Sequence, residues 1–123
     1  MVTRIAIARD DAGEPLTLIS SLSLHTRALQ ANPVCSLLVG EPLDKGDPLT
    51  HPRLTLQCRA QFVARPGTTH DTLRARYLAQ QPKARLYIDF GDFSLVRLTI
   101  TDAHLNGGFG KAYRLTPADI RRP

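Results

Sequence analysis

The sequence predicts a mainly β protein: six antiparallel strands forming a closed or split β-barrel with two small helices. Three observations carry this. Six short runs are rich in aliphatic and β-branched residues. Most connections between them are short turns that suit antiparallel pairs. The order reads β-β-α-β-β-α-β-β, without the regular βαβ alternation of a doubly wound sheet. A length of 123 residues fits one domain, 1–123, and 42% hydrophobic with 22% charged residues is an ordinary globular balance that excludes disorder.

The first strand is expected over Val2–Ala8, "VTRIAIA", and "DDAG" supplies turn chemistry before "PLTLIS" resumes the strand pattern, making a hairpin. "SLHTRALQAN" places Leu24 and Leu29 near helical spacing and stops before Pro33. "VCSLLVG", residues 34–40, is a third strand. "EPLDKGDPLTHP", residues 41–52, holds three prolines and a glycine and reads as a functional loop. In "RLTLQCRAQFVA" Leu54, Leu56, Cys58, Ala60 and Phe62 alternate against Arg53, Thr55, Gln57, Arg59 and Gln61, the clearest half-buried strand in the chain. "TTHDTLRARYLAQQ" predicts a Thr-capped helix burying Leu73 and Tyr77 along one face, with the stem of Arg76. A further helical turn in "ARLYIDF" breaks at Gly91. "FSLVRLTI" is apolar on both faces and so central or at an interface. "AHLNGGFGKAYRL" reads as strand, glycine-dense interruption and strand, and "TPADIRRP" as a last helical turn.

The net charge of +5 does not point to nucleic acid, because the cations are scattered and the longest run is Arg121-Arg122. No segment is long enough to span a membrane, and "MVTRIAIARDD" is unlike a signal peptide, so a cytoplasmic protein with no membrane partner is expected. Cys35 and Cys58 lack CxxC spacing and read as reduced core residues; four histidines without short-range pairing give no metal site. "DFGD" lacks every other kinase element. "NGGFGK" fails the spacing of a nucleotide-binding loop and reads as a strand bulge, with or without a ligand beside it. The acid pairs Asp10-Asp11 and Asp89/Asp92 read as solvated turns.

The junction "LISSLSLHTRAL" is richer. Hydroxyls of Ser20, Ser21, Ser23 and Thr26, the free N–H groups of a helix start and the Arg27 guanidinium converge there. Such a set suits helix capping and a dianionic phosphate about equally.

"GEPLTLISSLSLHTRALQANPVCSLLV", "GDPLTHPRLTLQCRAQFV" and "YIDFGDFSLVRLTITDAHLNGGFGKAYRL" together resemble the pyridoxamine 5′-phosphate oxidase-like FMN-binding split-barrel proteins, nearest the haem-utilisation branch. The resemblance runs from about Val2 to Leu115. It implies a six-stranded antiparallel split barrel of FMN-binding type and a homodimeric, cytoplasmic flavoprotein with FMN at the dimer interface. It also implies a related oxidoreductase activity on a small-molecule substrate that the sequence does not name. Family members carry a strand ahead of the position of Met1, so a barrel lacking its first strand is expected, with Arg4 the contributor from that edge.

The implied cofactor-binding residues are Ser20, Ser21, His25, Thr26 and Arg27 for the phosphate, and Arg53, Asn106 and Gly107 near the ring. His25-Thr26 stand where the oxidases carry Arg-Lys, leaving Arg27 as the phosphate cation. Arg53 stands where they place a Gln, and Thr50 or His51 would shape substrate access. No catalytic residue is identified. Two alternatives stand beside this: a haem-binding, haem-utilisation protein with His25, His51 or His104 on the iron, and a flavin-binding module without turnover.

Overall fold

A computed structural model of the chain describes residues 1–40, 52–108 and 111–120. Its elements are β1 (Ile7–Arg9), β2 (Pro15–Ser20), α1 (Leu24–Ala31), β3 (Val34–Val39), β4 (Arg53–Phe62), α2 (Thr68–Gln80), a 3-10 turn (Pro82–Leu86), β5 (Phe93–Gly108), β6 (Lys111–Leu115) and α3 (Pro117–Ile120). The loop expected at 41–52, with Thr50 and His51, lies outside the described residues except for Pro52.

All six strands belong to one antiparallel sheet ordered β1-β2-β5-β4-β3, with β6 also on β5. Among the described residues β1 and β3 do not pair with each other, so the sheet stays open. This is the split, not the closed, form of the barrel. β5 organises it: β2 pairs with its first residues and β6 with its last, while β4 runs along the other side from Val96 to Asn106.

Two cores follow from alternation along β5. Leu95 faces a cluster with Ala8, Leu16, Leu73, Tyr77, Leu78, Ala84 and Ile88, between the sheet and α2. Val96, Leu98 and Ile100 join Ile19, Leu56, Cys58, Ala60 and Ala103 in the second, with Leu29, Cys35 and Leu37 packed against it. A strand apolar on both faces therefore lies between two cores, as its pattern predicted. Each fully buried Leu contributes about 1.5–3 kcal/mol.

Several details differ from the sequence reading. β1 covers only Ile7–Arg9, because pairing with β2 spans the three positions next to the turn and leaves Val2–Ala6 ahead of the ladder. α2 is capped by Gly67 without a side-chain hydrogen bond, since the Thr68 and Thr69 side chains fall inside the helix. α1 buries Thr26, while Leu24 stays 63% exposed. The runs 93–100 and 103–108 form one 16-residue strand, bulged opposite the Gln57–Cys58 step of β4.

Candidate functional site

The strand-helix junction is held by a carboxylate. Ser20, the last residue of β2, donates its hydroxyl to Asp92 Oδ2 at 2.7 Å, and Ser21 donates its N–H to the Asp92 carbonyl, also at 2.7 Å. The Ser20 hydroxyl also accepts the Leu22 N–H at 3.1 Å. Ser23 caps α1 without a side-chain bond. His25 Nδ1 lies 3.1 Å from the Thr3 hydroxyl, tying the N-terminal segment to α1. Thr26 is 1% exposed, and its hydroxyl has no partner among the described residues. Arg27 is exposed on the helix surface and Arg4 is exposed ahead of β1. The junction thus holds Ser20, Ser21, His25, Thr26 and Arg27 in one stretch of chain, and it sets an anion, Asp92, beside Ser20, where the phosphate was expected.

Asp10 and Asp92 correct the reading of their pairs as solvated turns. Asp10 is 2% exposed; one oxygen accepts the Ala12 and Glu14 N–H groups, and the other faces Arg97 Nε at 3.5 Å. Asp89 is exposed but carries a two-pronged bond from Arg74, at 2.8 and 2.7 Å, which holds its carboxyl below the usual carboxylate value. Sequence spacing cannot reveal such partners, because Ser20 and Asp92, or Arg74 and Asp89, meet only after the sheet and α2 have formed.

A second cluster lies at the far end of β5. Arg53 on β4 stands directly opposite Asn106 on β5; the next outward row is Thr55, His104 and Arg114, across β4, β5 and β6. With Leu105, Ala112 and Tyr113 they line a depression of about 380 Å³. Gly107 sits where the β5–β6 register shifts, between Asn106 and Gly108, which is the bulge that "NGGFGK" predicted. Asp102 anchors the cluster: it accepts Arg114 Nε and Nη2, each at 3.2 Å, and faces His104 Nε2 at 3.4 Å. The Arg114 bond, chiefly, holds Asp102 below its ordinary value. With Nε2 turned toward Asp102, Nδ1 of the half-exposed His104 is the ring nitrogen left for a ligand, the arrangement by which carboxylates orient metal-binding imidazoles. Asp102 and Arg114 were missed from sequence; their only signal was the alternation that puts them on His104's face.

The two clusters are far apart in one chain. Ser20 pairs with Phe93 and Arg53 with Asn106, thirteen residues further along β5. At about 3.3 Å per residue that is a contour of roughly 40 Å. Arg53 and Asn106 stand opposite each other with Gly107 next along β5, and the five junction residues lie in one stretch, 20–27, with their side chains directed to different neighbours; the two sets do not meet. Among the described residues no three His, Cys, Asp or Glu side chains group as a metal site, and no helix is long and apolar enough to cross a membrane.

Comparison with known proteins adds a family and its neighbours. A family model described as CREG, beta-barrel matches residues 1–120. The chloroplastic heme oxygenase HOZ of Arabidopsis thaliana is 41% identical over 95 residues, 76% of this chain and 27% of that protein. A heme binding protein from Mycobacterium smegmatis is 30% identical with a TM-score of 0.80, over 93% of this chain and 46% of that one. A protein of unknown function from Agrobacterium tumefaciens is 36% identical with a TM-score of 0.79, over 97% of this chain and 47% of that one. The chain thus spans about a quarter of the plant protein and about half of each bacterial one. Below 25% identity the fold alone is shared with the heme storage protein HutZ of Vibrio cholerae and with a pyridoxinephosphate oxidase family protein of Clostridium acetobutylicum, at TM-scores of 0.65 and 0.61.

Proposed function

The chain belongs to the CREG β-barrel family, and from that premise we propose that it is a haem-binding split-barrel module whose ligand lies against the outward face of β4, β5 and β6. The observation that carries this reading is the His104 row. A half-exposed imidazole, oriented by Asp102, stands in a depression that also holds Arg53 and Arg114. That donor set fits haem: His104 Nδ1 for the iron, guanidinium groups for the propionates, and Ala112, on the same face, for the macrocycle edge. Bound haem supplies the redox chemistry of its iron. The protein's part is to bind and orient it. The two relatives above that are at least 30% identical and whose names mention haem support the reading.

Titration of the full chain with haemin, followed at the Soret band, tests it. Saturation at one haem per chain, or one per two chains in a shared site, is expected. A spectrum that stays that of free haemin at every ratio overturns it.

An FMN-binding oxidoreductase is the second reading, favoured by one observation, the buried unpartnered hydroxyl of Thr26 in the first turn of α1. The Asp92 carboxylate on Ser20 opposes it, because a second anion there repels a phosphate dianion. A flavin touching both clusters would draw Arg53 and Asn106 from a second copy, since a contour of roughly 40 Å separates them from the junction. Homodimerisation belongs to this reading. Retention of FMN after gel filtration, with a dimer mass, is its expected sign.

A further inference from the structure

Cys35 and Cys58 are directly opposed across the β3–β4 ladder, and both side chains turn to the same core face. Opposed residues in an antiparallel pair have Cα atoms about 4.5 or 5.5 Å apart, according to whether the pair is hydrogen-bonded. Either value falls inside the range of about 4.4–6.8 Å that a disulfide spans. Both sulfurs are free thiols; Cys58 is 2% exposed and Cys35 is half-buried, so one of the two is open to solvent. The thiols also sense each other: Cys35 is among the groups that raise the Cys58 thiol, after burial, to about 12. Neither residue belongs to the junction or to the His104 cluster.

We propose that Cys35 and Cys58 are a covalent modification site, closed to a cross-strand disulfide by a hydroperoxide. The Cys35 sulfur, giving up its proton, attacks the terminal peroxide oxygen, forming a sulfenic acid and breaking the O–O bond; with hydrogen peroxide, the hydroxide released takes up that proton and leaves as water. The Cys58 sulfur then attacks the sulfenic sulfur, and its proton departs with the hydroxyl as a second water. Two thiols lose two electrons in all, and one hydrogen peroxide is reduced to two waters. Burial keeps both thiols protonated at neutral pH, so a modest oxidant leaves the pair reduced. Once formed, the bond has one face sealed by Leu37, Leu56 and Ile100 and resists exchange.

The consequence is local and mechanical. Among the described residues β3 is an edge strand held by one neighbour, and the link fastens it to β4 three residues from the Leu38–Thr55 pair. Thr55 belongs to the His104 row, so the wall beside that row is stiffened by oxidation.

Mass spectrometry of the folded full chain tests this. After hydrogen peroxide and alkylation under denaturing conditions, the chain is expected to lose the mass of two hydrogens and take up no alkyl group; dithiothreitol restores two alkylatable thiols. A non-reducing tryptic digest is expected to join peptides 28–45 and 54–59. Two alkylated thiols after peroxide, a disulfide between chains, or Cys35 driven to the sulfinic acid while Cys58 still alkylates would each overturn the proposal. Cys35→Ser and Cys58→Ser, checked for native circular dichroism, should each abolish the two-hydrogen loss, and its survival in either would also overturn the proposal.

Discussion

The Ser20 hydroxyl donates to the Asp92 carboxylate at 2.7 Å, joining the end of β2 to the turn that starts β5. Ser20→Ala leaves that carboxylate oxygen short of a donor at a half-buried position. An unfolding free energy lower by about 1–2 kcal/mol in urea is expected. An unchanged midpoint would mean that water takes the hydroxyl's place.

Asp92→Asn keeps an acceptor for Ser20 but removes the charge. Under the flavin reading FMN affinity should rise tenfold or more while riboflavin, which has no phosphate, is unaffected. Equal gains for both ligands would show that charge at this junction does not control phosphate binding. Fluorescence titration distinguishes the two.

Thr26 carries a buried hydroxyl without a partner, a group that costs about 1–3 kcal/mol when unsatisfied. Thr26→Val keeps the shape and removes the cost. The expected result is a ligand-free chain more stable by about 1 kcal/mol. A loss of stability would show that the hydroxyl has a partner in solution.

His104→Ala should weaken haem binding by tenfold or more and change the Soret maximum, and added imidazole should restore much of the spectrum. If affinity and spectrum are both unchanged, the iron ligand lies elsewhere and the reading of the His104 row fails.

Asp89 and Asp102 are both held below the ordinary value of 3.8, by Arg74 and Arg114 respectively. A depressed folded-state value means that the stability each contributes is present above pH 3.8 and is lost as pH falls through the lower folded value. The urea midpoint should therefore fall below about pH 4, and Asp89→Asn should flatten part of that descent. Both pairs face solvent, so the effect is shallow and shrinks with added salt.

Much of the fold was legible because it rests on period and punctuation. The alternation Leu54, Leu56, Cys58, Ala60 marked β4's buried face, and the two-sided pattern of "FSLVRLTI" marked a strand between two layers. The extent of β1 was not legible, because pairing with β2 rather than the β-branched run decides where it starts. At the sites, Arg53 and Asn106 could be named from sequence but not their face-to-face placement, which depends on β4–β5 register. From sequence Asp92 reads as part of a solvated turn and Asp102 is missed, for the same reason: each matters through a partner brought to it by folding.

β5 has one more consequence, and it concerns birth rather than function. β2 finds its neighbour about 75 residues later in the chain, with Ile19 opposite Ser94. At roughly 5–20 residues per second, ribosomal synthesis of that interval takes on the order of 4–15 s. Throughout it the nascent hairpin of β1 and β2 shows an unzipped margin and the apolar Leu16 and Ile19. The sheet therefore cannot assemble until β5 has left the ribosome, and a chaperone that shields the early hairpin acts on the step where this topology is most exposed.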